Sequence, residues 1–233
     1  MNEKSFNLAK TALTITTVLT LFVAGFEVLM AIYGYKPGMN IFDIATYANA
    51  NMNAYCLILI LANLILLPFD ILLYHQSGIS LKKEIAEKKT LGRDILLGMA
   101  ALVVSMIVSL GYSFVFAAGR SELAFNDTDT SIGTTIMKII SLVFVSGICK
   151  EIYFRGFAKC FVGSVLGETK ALLLFNILFS LLDWYNFGFS FFAGLIWIWA
   201  YKKSGHMISS IIPHAGANLV GTIYLIVMCG GMK

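Results

Sequence analysis

About seven times along its 233 residues the chain runs through roughly 20 predominantly apolar residues, and only short connections separate these runs. That length matches what a helix needs to cross a bilayer, because each residue rises ~1.5 Å and the hydrocarbon is ~30 Å thick. The runs lie at about 11–33, 54–74, 95–117, 134–158, 168–185, 187–201 and 207–229, and they predict helices. A transmembrane barrel would alternate apolar and polar residues with a period of two, and no such alternation is present. With 58% hydrophobic and 13% charged residues, a soluble domain of this size could not hide its apolar surface from water. The expected fold is therefore all-α: one transmembrane domain over 1–233, a polytopic helix bundle of about seven spans in the cell membrane, with lipid as its first partner. The first run is too long for a signal peptide and lacks a small-residue cleavage site, so it is expected to stay as a helix.

The net charge of +4 reflects topology and gives no reason to expect nucleic acid. Lys4, Lys10, Lys82, Lys83, Lys88, Lys89, Arg93, Arg155, Lys159, Lys170, Lys202 and Lys203 all fall on one side of a seven-span arrangement. The opposite side keeps Lys36, Arg120 and Lys233, so the positive-inside rule puts the N-terminus in the cytoplasm. The 119–132 loop, with Glu122, Asp127 and Asp129, then faces outward. The Lys82–Lys89 segment reads as a solvated cytoplasmic loop, with a short surface helix as the alternative. Cys56, Cys149, Cys160 and Cys229 form no CxxC pair and read as small buried hydrophobes.

A charged residue at mid-bilayer costs ~2.5–3.5 kcal/mol on insertion scales, so each one demands a reason. The fourth run carries Lys150, Glu151 and Arg155 in the string CKEIYFRG. Glu151 and Arg155, four apart, share a helix face and can pair, with Arg155 expected to snorkel to the cytoplasmic boundary. The fifth run carries Asp183, and the seventh carries His214 and Asn218, again four apart, in PHAGAN. Pro213 should kink that last helix and free a carbonyl beside Ser209 and Ser210. Lipid would exclude all these groups, so they are expected to converge on a polar cavity among helices 4, 5 and 7, open toward the cytoplasmic half. Asp70 reads as interfacial, Glu27 lies deep without an evident partner, and the aromatic stretch from Trp184 to Trp199 reads as an interface belt and packing.

These strings resemble the CPBP family, the CAAX-protease and bacteriocin-processing (Abi-type) membrane proteins. The family's pattern is EExxxR on one helix, FxxxH on the next, and HxxxN or a similar string near the end. The counterparts are Lys150-Glu151-Ile152-Tyr153-Phe154-Arg155, then Phe179-Ser180-Leu181-Leu182-Asp183, then His214-Ala215-Gly216-Ala217-Asn218. Order and spacing fit over about 140–220, within a family-like core of about 134–229. The resemblance implies an intramembrane endopeptidase whose first glutamate activates water and whose His and Asn groups hold the oxyanion. It therefore implies Glu151, Arg155, Asp183, His214 and Asn218 as the site residues, with Lys150 where the family's base stands.

Two positions depart from the pattern. The first glutamate is Lys150 and the FxxxH histidine is Asp183. Peptide hydrolysis needs a base to take a proton from water, which an ammonium cannot do. The two changes are opposite in sign, so Lys150 and Asp183 are expected to form an interhelical ion pair in place of the catalytic centre. The implied function is a CAAX-type protease homologue that processes or binds peptides or proteins in the membrane, with impaired or no proteolysis. A non-catalytic role in bacteriocin self-immunity or in regulating a partner is the alternative, and a charge-relay transporter a more remote one. The plainer reading of Glu151 and Arg155 is an anchoring salt bridge, and of His214 and Asn218 interhelical hydrogen bonding. No cofactor is expected, and no metal: there are three histidines (His75, His206, His214) and no HExxH.

Overall fold

A computed structural model describes residues 3–40, 52–119, 131–186 and 188–228. Among these every regular element is helical. The elements are α1 (Glu3–Gly34), α2 (Met52–Ser77), α3 (Leu81–Ile85), α4 (Leu91–Gly119), α5 (Ile132–Leu166), α6 (Glu168–Leu181), α7 (Phe189–Ser204) and α8 (Ile208–Met228), with a 3-10 turn at Trp184–Asn186. Four helices among the described residues are long and apolar enough to cross a membrane: Phe6–Gly34, Tyr55–Ser77, Leu91–Tyr112 and Ile132–Leu166. The chain is thus a helical membrane protein. At 14 and 16 residues, α6 and α7 rise only ~20–25 Å, short of the ~30 Å hydrocarbon. The loop expected to face outward, with Glu122, Asp127 and Asp129, lies outside the described residues, as do Arg120, Cys229 and Lys233.

The long α5 is the axis of the bundle. Its first half packs on α2 and α8, and its second half on α6 and α1, while α4 closes the far side against α7 and α8. Such a helix must be apolar or internally paired all round, and from Ile152 to Ala158 every residue is buried. Two π-helical stretches, Ile139–Cys149 and Ile152–Val162, flank Lys150 and Glu151. The apolar pattern predicted an ordinary α-helix here. π-Helical geometry is rare, and it gathers at functional sites. Gly167, at φ 84°, turns α5 directly into α6, a backbone conformation that a Cβ would oppose.

Small residues set how closely α8 approaches. A Cβ on Gly147 would lie 2.9 Å from the Cα of Ala215, so the two backbones touch there. Glu151 is one turn beyond Gly147 and His214 adjoins Ala215, so this contact delivers one to the other. On the opposite side of α8, a Cβ at Gly98 would meet the Ser209 carbonyl at 3.2 Å. That carbonyl sits four residues before Pro213 and so lacks its helical donor, and α4 covers it.

The helix ends gather at one pole. Glu84 of α3 accepts from Lys159 at 3.0 Å and from Tyr201 Oη at 3.3 Å, and Arg93 donates to the Ser204 carbonyl at 2.7 Å. His206 Nδ1 meets Asp94 Oδ2 at 2.8 Å. The Lys82–Lys89 segment is thus a loop only in part: Leu81–Ile85 forms a turn of helix, capped by Ser80 and tied down through Glu84. Lys159, expected in a loop, belongs to α5.

Candidate functional site

Glu151, Arg155 and His214 form one buried unit. Glu151 Oε1 lies 3.3 Å from Arg155 Nη1 and 2.8 Å from His214 Nδ1. Glu151 and Arg155 are both 0% exposed. A carboxylate only accepts, so the short contact puts the hydrogen on His214 Nδ1 and fixes which ring nitrogen remains. The histidine is held on two further sides. Trp197 stacks on it at 4.5 Å between centroids and 20° between planes, and Phe179 meets its edge at 5.4 Å.

Arg155 does not snorkel. Its Nη2 donates to Asn176 Oδ1 at 3.3 Å, and its guanidinium carbon lies 4.3 Å from the Phe179 ring centroid. The second half of α5 is enclosed by α1 and α6, so the side chain has no route to the bundle surface and is paired internally instead. Asn176 is in turn anchored by donating to the Phe191 carbonyl at 2.9 Å. A Cβ on Gly194 would come within 2.9 Å of Arg155 Nη2, so a glycine on α7 is what admits this pair.

Lys150 and Asp183 meet as the opposite substitutions implied. Lys150 Nζ lies 3.8 Å from Asp183 Oδ1, and their side chains are 7% and 15% exposed. The separation is an ion pair without a hydrogen bond. Asp183 is positioned by Ser190, whose hydroxyl donates to Oδ2 at 2.9 Å. Lys150 also stands 5.7 Å from the Phe179 centroid, so this one ring touches both cations and His214. Asn218 takes a separate place: its amide donates to the Leu142 carbonyl at 2.7 Å, tying α8 to the first half of α5.

Several residues of this centre read differently in the sequence. Trp197 is no interface anchor: it is 4% exposed and donates through Nε1 to Ser105 at 3.0 Å. Asp70 is 1% exposed: α2 carries it on the face that packs inside the bundle. Glu27, unexplained in the sequence, is 0% exposed and has Lys150 and Asp183 as charged neighbours. Asn176 had a usable signal, an amide inside the apolar run 171–179; Trp197 had none apart from its aromaticity. The expected cavity is also displaced. The groups on α5, α6 and α8 pack against one another, and the opening beside Lys150 lies between α1, α2 and α5, lined by Thr20, Val23, Leu59, Asn63, Tyr153 and Leu182. Among the described residues no three His, Cys, Asp or Glu side chains converge as a metal ion requires.

Residues 132–220, from the start of α5 to the middle of α8, match the family model of the Rce1-like proteins, type II CAAX prenyl endopeptidases. The resemblance to CAAX-type intramembrane proteases of the CPBP family therefore stands over the segment that holds Glu151, Arg155, Asp183, His214 and Asn218. No curated protein and no solved structure matches the chain.

Proposed function

We propose that this is a multi-pass cell-membrane protein with its N-terminus in the cytoplasm, which receives peptide or protein segments on a CAAX-endopeptidase scaffold and cleaves them slowly or not at all. The observation that carries this reading is the Lys150–Asp183 ion pair, formed where the family pattern has a glutamate and a histidine. A general base contributes about 10²–10⁴-fold to a hydrolysis, and an ammonium offers no lone pair for the task. Glu151 holds Arg155 and His214 together through Oε1, the place of a positioning carboxylate. What survives is the part of the site that shapes and orients: Glu151 holding His214, Arg155 anchored to Asn176, and Phe179 and Trp197 walling the imidazole.

Binding and turnover should therefore separate. In lipid nanodiscs the wild type is expected to bind a fluorescent CAAX-type peptide about as tightly as Lys150→Glu/Asp183→His, while consuming it far more slowly. No binding by the wild type under conditions where the double variant binds would refute the reading.

A further inference from the structure

The opening beside Lys150 has a larger companion between the same two helices. The first turns of α1 and the last turns of α2 enclose a groove of about 600 Å³, within the roughly 300–1,000 Å³ of ligand sites. Its walls are of two kinds. Leu8, Phe69, Leu72 and Leu73 are apolar, while Glu3, Asn7, Thr11 and Gln76 carry hydrogen-bonding groups. The opening beside Lys150 takes Leu19, Thr20 and Val23 from α1, and Leu59, Ala62 and Asn63 from α2. Residue numbers rise along α1 as they fall along α2, so the helices run antiparallel and both openings lie between them. Each helix rests more on α5 than on the other, α2 mainly on its first half and α1 on its second. About twelve residues of α1 separate Leu8 from Thr20, a rise of ~18 Å. An extended chain covers that distance in about five or six residues at ~3.3 Å each.

We propose that this groove between α1 and α2 docks the stretch of peptide that flanks the segment held beside Lys150, and that it selects a basic side chain at Glu3. The assignment rests on the reading that the scaffold receives a peptide segment. The mixed lining favours a peptide over a lipid tail. A tail would use only the apolar wall, whereas an extended peptide brings amide groups to Asn7, Thr11 and Gln76 and side chains to Leu8 and Phe69. Glu3 is the one charge among the described lining residues, so a lysine or arginine is attracted there and an acidic side chain repelled. The spacing fixes the register: the basic residue lies about five or six positions from the residue beside Lys150. Specificity is thereby placed on the first two helices, outside the segment that carries the family pattern.

The test uses the full chain in nanodiscs and fluorescent CAAX-type peptides in which a single lysine is moved stepwise away from the motif. Photoreactive benzoylphenylalanine replaces Leu72, 50% exposed in the groove, or Leu96, 71% exposed on α4 at the far side of the bundle. Capture of the peptide is expected at Leu72 and not at Leu96. Binding should be tightest with the lysine five or six positions from the motif, and glutamate at that position should weaken it by about fivefold, the upper worth of one exposed charge contact. Glu3→Lys, an exposed change at the start of α1, should reverse that preference. Peptide that binds without capture at Leu72, or with equal capture at Leu96, overturns the groove assignment and leaves the scaffold reading intact. Capture of lipid at Leu72 under saturating peptide overturns it as well. A charge preference that survives Glu3→Lys removes the role given to Glu3. If neither the wild type nor Lys150→Glu/Asp183→His binds any peptide of the set, the peptide-handling reading falls and the groove assignment with it.

Discussion

Removing Lys150 should destabilise the protein more than removing its partner Asp183, and the asymmetry comes from Glu27. The pair is nearly enclosed, with side chains 7% and 15% exposed and charged atoms 3.8 Å apart. Breaking a buried pair by deleting one partner costs about 3–5 kcal/mol, because the other charge is left uncompensated. Lys150→Met leaves two neighbouring carboxylates, Glu27 and Asp183, without the cation that offsets them, and the full cost of about 3–5 kcal/mol is expected. Asp183→Asn leaves Lys150 beside Glu27, so the loss should stay under about 3 kcal/mol. For a chain of this size each kcal/mol moves Tm by roughly 2–4 °C, which puts the Lys150→Met shift at about 6–20 °C. The double variant should be more stable than the sum of the two losses, with a coupling of roughly 1–3 kcal/mol. Thermal unfolding followed by tryptophan fluorescence in one detergent gives all four corners of the cycle. Equal, additive losses below about 0.5 kcal/mol would refute the reasoning, because they would mean that neither charge depends on the other.

Other positions give narrower tests. Gly194→Ala puts a methyl group against Asn176 and Arg155 and should cost about 1–3 kcal/mol as overpacking, read as a lower Tm. Trp197→Phe keeps an aromatic face on His214 but loses the hydrogen bond to Ser105, so a loss of about 1 kcal/mol in the same melt is expected. Glu84→Gln weakens the pair with Lys159, whose partners are 23% and 24% exposed; solvent screening should hold the cost to about 0–1 kcal/mol, checked by the salt dependence of Tm.

The helices could be read from the sequence because a bilayer leaves so few alternatives: an apolar run of the right length must be a helix, and α1, α2 and α4 fall close to the runs that announced them. The bounds of α6 and α7 were also near, although their lengths fall short of a full crossing. Charges in apolar runs marked Lys150, Glu151, Asp183 and His214, since lipid gives such residues no other reason to be there. Their pairing was harder to see. Periodicity tells which face of a helix a residue occupies but not which helix that face meets. That is why Glu27 on α1 had no partner until the bundle closed on Lys150, and why Arg155 was placed at a boundary it does not reach. The contacts that decide these matters run through glycines. Gly147 sets α8 against α5, and Gly194 admits Asn176 beside Arg155, and a glycine in a sequence does not say what will approach it. The π-helical winding around Lys150 and Glu151 is equally hidden, because its apolar residues are the same ones an α-helix would show.

The account turns on position 150 and its partner on the neighbouring helix. Its most direct test is kcat/KM for a single CAAX-type peptide, measured on the wild type and on Lys150→Glu/Asp183→His in matched nanodiscs. Restoring the glutamate and the histidine is predicted to raise kcat/KM by about 10²–10⁴-fold, the worth of a general base, on an otherwise intact scaffold. A wild type that cleaves as fast as the double variant would contradict the account.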